Sequence, residues 1–304
     1  MATSERSTVY GREEFQNVDV GADMRHGHPD ISDGDRLIVS LVADHAGALG
    51  RPLRIMDIGA GSGVLSEMLA DRLPESRVIC NDNEPALVAQ ATQRLRDKPN
   101  AEVFGRPFQD WDEPLDVIIS WGSHHHMPHS YLDQSRRLLG SEGIFIIGDE
   151  FCPEYCTKED AERILGAPTI QIAKGYVLAS EAEVADFERD GTIPAWSQAL
   201  ERRRRVALWD WYKFVIDYAI ERDNWIVALA EIQICMDDLI TEFEEEHKLS
   251  PLIVERELEL NQFRRVGKHV IGDRPPELQS FFIYEFAPST AAEGALAPAA
   301  ASRG

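Results

Sequence analysis

"MDIGAGSGVLSEML", residues 56–69, is the stretch that decides the fold. It joins the short apolar run "LRIMDIGAG" at 53–61 to a segment with Leu65, Met68, Leu69 and Leu73 on one helical face. Between the two lie Gly59, Gly61 and Gly63. Alternate glycines at a strand-to-helix turn let the backbone approach a ligand closely, and the helix behind them offers unpaired N–H groups. A dinucleotide fingerprint needs glycine at position 64, where this chain has Val64. Asp57, two residues before the first glycine, is poorly placed for a pyrophosphate and suits a cationic ligand.

Outward from the loop the chain alternates. "SDGDRLIVSLVADHAGALG" reads as a helix ahead of the first strand. "RVICND", "AEVFG", "LDVIISW" and "GIFIIGDEF" read as further strands, with helices "EPALVAQATQRLRD" and "SYLDQSRRLLG" among them. This spacing predicts an α/β fold, a doubly wound and mostly parallel sheet in a core spanning 31–151. Residues 152–261 show helical patterns and no convincing strand, which predicts a cap inserted between the fifth and sixth strands. One apolar face is expected at Leu208, Trp211, Tyr212, Val215 and Ala219, and another at Trp225, Leu229, Ile232, Met236, Leu239 and Phe243. "FRRVGKHVIG" and "SFFIYEF" supply a closing hairpin at 262–287, completing seven strands. Residues 1–30 are expected to cover the active site, and the tail at 288–304 to be disordered.

The loop and the acid after it resemble the class I S-adenosylmethionine-dependent methyltransferases. "DIGAGSG" has the family's D/E-x-G-x-G-x-G form, and Asp82, ending "RVICND", matches the acid that holds the ribose hydroxyls. "HHMPHSYLDQSRRLLGSEGIFIIGDE" is similar to the family's L-H-H-x-x-D…R-x-L-x-P-G-G-x-L-x-I-x-D stretch, with His129 in place of the Asp and Ser141-Glu142 in place of Pro-Gly. The resemblance covers roughly 35–150 and the closing hairpin. It implies S-adenosyl-L-methionine as cofactor, with Gly59, Gly61 and Gly63 around its methionine part and Asp57 near the ammonium or fixing the loop. Asp82 and Asn83 would hold the ribose, Phe108 and Gln109 the adenine, and Ser120 and Trp121 would flank the site from the fourth strand.

"SWGSHHHMPHSYL", 120–132, then has a place in the fold. It leaves the carboxyl end of the fourth strand, at the topological switch point where such sheets bind ligands. Consecutive histidines on a turn point in different directions, so no metal is expected, although two of them with Glu150 could make a 2-His-1-carboxylate set. His125, His126, His129 and Glu150 are the candidates for a general base and its partner, with His126 and Glu150 the favoured pair; His124 is expected to be spent on the turn.

Charge and composition narrow the partners. A net charge of −22 repels phosphate backbones, so no nucleic acid is expected. "RRRR" at 202–205 reads as a solvated helix face. No apolar run is long enough to suggest a membrane span, and no secretory signal is expected; the four cysteines read as reduced thiols of a cytoplasmic protein. The aromatic residues of the cap suggest a small, aromatic or terpenoid acceptor of natural-product type, with Tyr10, Trp209 and Tyr212 as its contacts. The apolar cap helices suggest a homodimer. The alternatives are a cyclase-like enzyme using the same cofactor and a non-catalytic protein that kept the fold.

Overall fold

The computed structural model describes residues 24–25, 27–128, 130–240 and 248–289. The expectations for Tyr10, His129, Phe243 and most of the tail fall outside them. Strands β1 (Arg54–Ile58), β2 (Arg77–Asn81), β3 (Ala101–Phe104), β4 (Leu115–Trp121) and β5 (Leu139–Glu150) run parallel. The hairpin β8 (Phe263–Val270) and β9 (Phe281–Pro288) adds antiparallel to β5. The order β3-β2-β1-β4-β5-β9-β8 reverses direction between β1 and β4, which opens the crevice where ligands bind.

The central strands are apolar on both faces because both are covered. Helices α1 (Ile31–Leu49) and α2 (Val64–Arg72) send Ile38, Val42, Leu65 and Leu69 against Ile55, Val117, Ile119 and Ile146. On the opposite face, α4 (Ser130–Leu138) sends Tyr131, Leu132 and Leu138 against Met56, Ile118, Phe145 and Ile147. Helix α3 (Pro85–Leu95) packs Ala91 and Leu95 beside Cys80.

The insert departs from a purely helical cap. Helix α5 (Lys158–Gly166), capped by a reciprocal Thr157–Asp160 box, leads into a small hairpin of β6 (Gln171–Ala173) and β7 (Tyr176–Leu178). Three-residue strands around Lys174-Gly175 are too short to show a two-residue period in sequence. Helices α6 (Glu181–Asp190), α7 (Ala195–Glu221), α8 (Trp225–Ile240) and α9 (Pro251–Leu260) follow. No helix among the described residues is long and apolar enough to cross a membrane.

Two expectations about these helices are corrected. Arg204, read as part of a solvated run, is 1% exposed. It donates to Glu201 at 2.8 Å and to Asp238 at 2.9 Å. Helix α7 buries its Leu208, Trp211, Tyr212, Val215 and Ala219 face as expected. Helix α8 does the reverse: Trp225, Leu229, Ile232 and Met236 face outward at 43–60% exposure, while Ala228, Glu231, Cys235 and Asp238 face in. The reason is charge. Asp238 meets Arg204 and the Tyr212 hydroxyl (3.0 Å) inside, so the helix turns its small and acidic stripe toward α7.

Removing one member of a buried ion pair strands the other charge, at a cost of about 3–5 kcal/mol. Arg204→Ala is therefore expected to lower stability by that order in urea unfolding, while Arg202→Ala, on the exposed face, changes it by less than about 0.5 kcal/mol.

Candidate active site

Three glycines shape the turn after β1. Gly59, Gly61 and Gly63 all have positive φ, at 62°, 57° and 79°, a region that side chains disfavour. A Cβ on Gly59 would lie 2.5 Å from the Ser123 Cβ, so the loop is pressed against the end of β4. A Cβ on Gly61 would meet open space, which is where the backbone can come close to a ligand. The Ser123 hydroxyl donates to the Ile58 carbonyl at 2.8 Å and pairs with Ser120 at 2.8 Å. Ser120 is fully buried, and through Ser123 its hydroxyl supports the loop.

Asp82 directly follows β2 and accepts the Gly61 and Glu84 amides, each at 2.9 Å. Burial raises its carboxyl, with backbone amides and His126 acting against it. Asp57, 1% exposed, accepts the Ser66 hydroxyl at 2.7 Å, and burial pushes its carboxyl up to about 7. The charges of Arg25 and Asp35 both act on Asp57, and Arg25 Nε lies 2.6 Å from Asp35. Sequence patterns gave no sign of Arg25 or Asp35; their spacing falls in a polar segment and on a helix start.

The remaining residues expected around the nucleoside differ in exposure. Asn83 and Gln109 are exposed, whereas Phe108 is 2% exposed and belongs to the core cluster that includes Ile118 of β4. The Trp121 indole fills the space between Gly34 and Gly148, where a Cβ would come within 2.3 Å and 2.5 Å of it. Its N–H donates to Asp35 at 2.8 Å, so Trp121 pins α1 to the sheet beside the site.

The histidines of the β4 exit have different partners, although the rings of His125 and His126 lie with their centroids 4.0 Å apart. They form a short 3₁₀ turn, His124–His126. His124 is buried and bonds the Tyr131 hydroxyl, as a residue spent on the turn should. His125 places Nδ1 2.9 Å from both oxygens of Asp149, and its backbone amide donates to the same carboxylate at 3.1 Å. Burial alone would raise the Asp149 carboxyl; the charge and N–H of His125 override it and hold it below the ordinary carboxylate range. His126 is exposed, and its charge acts on Asp82. The favoured pairing of His126 with Glu150 is thus not made: Asp149, one residue earlier on β5, is the acid that meets a histidine.

Glu150 turns to the cap. It accepts the Trp211 indole N–H and lies 3.4 Å from both Lys248 Nζ and His28 Nε2. Burial works to raise its carboxyl, but Lys248, His28 and Trp211 together hold it well below the usual range. Of the expected acceptor contacts, Tyr212 is fully buried beside this group, taking a 2.8 Å bond from Lys248, whereas Trp209 stands 55% exposed on the outer side of α7.

Residues 55–143 match a family described as a methyltransferase domain. The part of the chain that holds the glycine loop, Asp82 and the histidine turn is thus a methyltransferase domain. Over 155 residues the chain is 24% identical to the trans-aconitate 2-methyltransferase of Methylobacterium nodulans, covering 50% of this chain and 58% of that one. It is 31% identical to the malonyl-[acyl-carrier protein] O-methyltransferase of Geobacter sulfurreducens, over 31% of this chain and 37% of that one. The ribosomal RNA small subunit methyltransferase C of Citrobacter koseri is 30% identical, over 35% and 30%. The chain thus spans less than two thirds of the length of these curated relatives. The CurJ carbon methyltransferase shares the fold, with a TM-score of 0.53 over 91% of this chain and 60% of that one, at 12% identity.

If the cofactor's ammonium sits beside Asp57, as the family resemblance implies, cofactor affinity depends on pH. Its carboxyl, raised to about 7, is mostly protonated below that pH in the free protein. A cationic ammonium beside it favours the ionised form, so binding below pH 7 must release the proton. Affinity for S-adenosylmethionine is therefore expected to rise with pH and level off above about 7, with proton release detectable by calorimetry in buffers of different ionisation enthalpy. Asp57→Asn should flatten the profile. Asp82→Ala removes charge-assisted bonds worth about 1.5–3 kcal/mol and is expected to weaken binding at least about tenfold.

Proposed function

We propose that this methyltransferase moves a methyl group from S-adenosylmethionine to a small molecule held between the carboxyl ends of β4 and β5 and the cap, with His125 as general base. The observation that carries this is the His125–Asp149 pair at the switch point, beside the glycine loop and Asp82. The bound cofactor supplies an electrophilic methyl whose leaving group is a neutral thioether, so no acid is needed. The chain's tasks are alignment, exclusion of water and removal of one proton. Asp149 accepts the Nδ1 proton of His125, which directs the other ring nitrogen toward accepting a proton. As the acceptor loses its proton, the buried carboxylate steadies the imidazolium.

The Arg25–Asp35 pair and Asp57 supply opposite charges at the loop, a match for the zwitterionic end of the cofactor. Around Glu150 the surroundings are mixed: rings of His28, Trp211 and Phe281 stand with Glu231 and Lys248. This mixture favours an aromatic acceptor with an ionisable group over a hydrocarbon terpenoid. The charge of −22 favours such a molecule over nucleic acid. On α8, Trp225, Leu229, Ile232 and Met236 follow the 4-3-4 spacing of a helix–helix seam, which supports a homodimer with two copies of this stripe facing each other.

Production of S-adenosylhomocysteine in the presence of candidate aromatic acceptors tests the activity and separates it from a cyclase-like or non-catalytic protein. With an acceptor in hand, His125→Ala is expected to lower kcat by about 10²-fold or more with cofactor affinity unchanged; unchanged turnover would leave catalysis to alignment alone. Leu229→Glu should turn the dimer into a monomer in sedimentation, and a wild-type protein that is already monomeric at micromolar concentration would refute the seam.

A further inference from the structure

His28, Glu150 and Glu231 come from three separate parts of the chain and place one donor atom each within 4.8 Å of the others. Their side chains are 0%, 12% and 1% exposed. His28 Nδ1 sits 3.0 Å from the Pro29 carbonyl oxygen, which can only accept, so Nδ1 carries the proton. Nε2 points between the two carboxylates, 3.4 Å from Glu150 and 3.6 Å from Glu231, and makes no hydrogen bond. Two anionic oxygens around one ring nitrogen need positive charge between them, which a bound cation or a second proton on the ring supplies.

The distances from His28 to the two carboxylates match such a cation. Zinc bound tetrahedrally at about 2.0–2.2 Å from each donor needs donors about 3.3–3.6 Å apart. Outer partners are in place as metal sites require: the Pro29 carbonyl on His28, and the Trp211 indole on the other oxygen of Glu150.

We propose that His28, Glu150 and Glu231 bind one divalent cation of the zinc type, on the cap side of the carboxyl end of β5. The binding stands on these three residues alone. Only its role, holding an anionic oxygen of the acceptor, rests on the methyl-transfer reading.

The test uses the full chain, stripped by chelator and dialysed. Titration with ZnCl₂ is expected to show one tight equivalent per chain, and CoCl₂ to give the visible absorption of a low-coordinate site. Glu231→Gln, which keeps size and shape, and His28→Ala should each lose that equivalent while circular dichroism stays native. Trp211→Phe should weaken it about tenfold. His269→Ala, at a histidine paired with Glu285 on the closing hairpin, should leave it intact. Cofactor binding is measured on the same samples, so failure of the metal site and failure of the methyltransferase reading are seen separately. A folded protein that takes up no Zn²⁺ or Co²⁺ overturns the proposal, and so does an equivalent that survives both Glu231→Gln and His28→Ala. A doubly protonated His28 ring at neutral pH, seen by nitrogen NMR in metal-treated protein, overturns it as well, because a protonated imidazole would then fill the gap.

Discussion

Glu150 is the last residue of β5, and its carboxylate is buried where the sheet meets the cap. A lone charge there would be prohibitive, so the chain surrounds it with Trp211 from α7, Lys248 from the segment before α9 and His28 from ahead of α1. Lys248 donates to Tyr212, Tyr212 donates to Asp238, and Asp238 accepts from Arg204, which also holds Glu201. The cap is thus fastened to the core by a continuous chain of buried polar groups that starts at one strand end. Leucine packing alone would hold the cap as well, but would not fix its rotation about the sheet.

A second constraint acts a few residues away. The glycine loop, the end of β4 and the exit of β2 are locked together through Ser123, Ile58, Gly61 and Asp82. The acid that would grip a ribose is already engaged with the loop that would wrap the rest of the ligand. The two halves of the cofactor site are therefore held in one geometry by bonds that exist in the free protein, which reduces the ordering cost of binding.

The sheet was legible because buried parallel strands such as "LDVIISW" and "GIFIIGDEF" are apolar throughout and the helices between them are punctuated by glycine and proline. The loop was legible because three alternate glycines ahead of Val64 have few other uses. What could not be read was which way a helix faces. Residues 225–240 show a strong apolar stripe, and only the burial of Arg204 and Lys248 nearby explains why that stripe points out. The same limit hid His28 and Glu231. A single histidine in a polar stretch and a single acid in "WIVALAEIQICMDDLI" look incidental until the fold brings them to Glu150. Along the β5 exit, the choice between Asp149 and Glu150 as partner of the histidine turn depended on strand pleat: neighbouring residues point to opposite faces, and one register decides which acid meets His125.

Cys80 lies directly behind the glycine loop, its sulfur 3.4 Å from where a side chain on Gly63 would begin. Sulfonium cofactors are alkylating agents, and a thiolate is the side chain most prone to attack them. Burial pushes the Cys80 thiol up to about 12 and Cys235 up to about 11, and raises Cys152 and Cys156 as well. All four sulfurs stay protonated at physiological pH and are poor nucleophiles. The fold can therefore hold a reactive methyl donor over its own cysteine without becoming its own substrate.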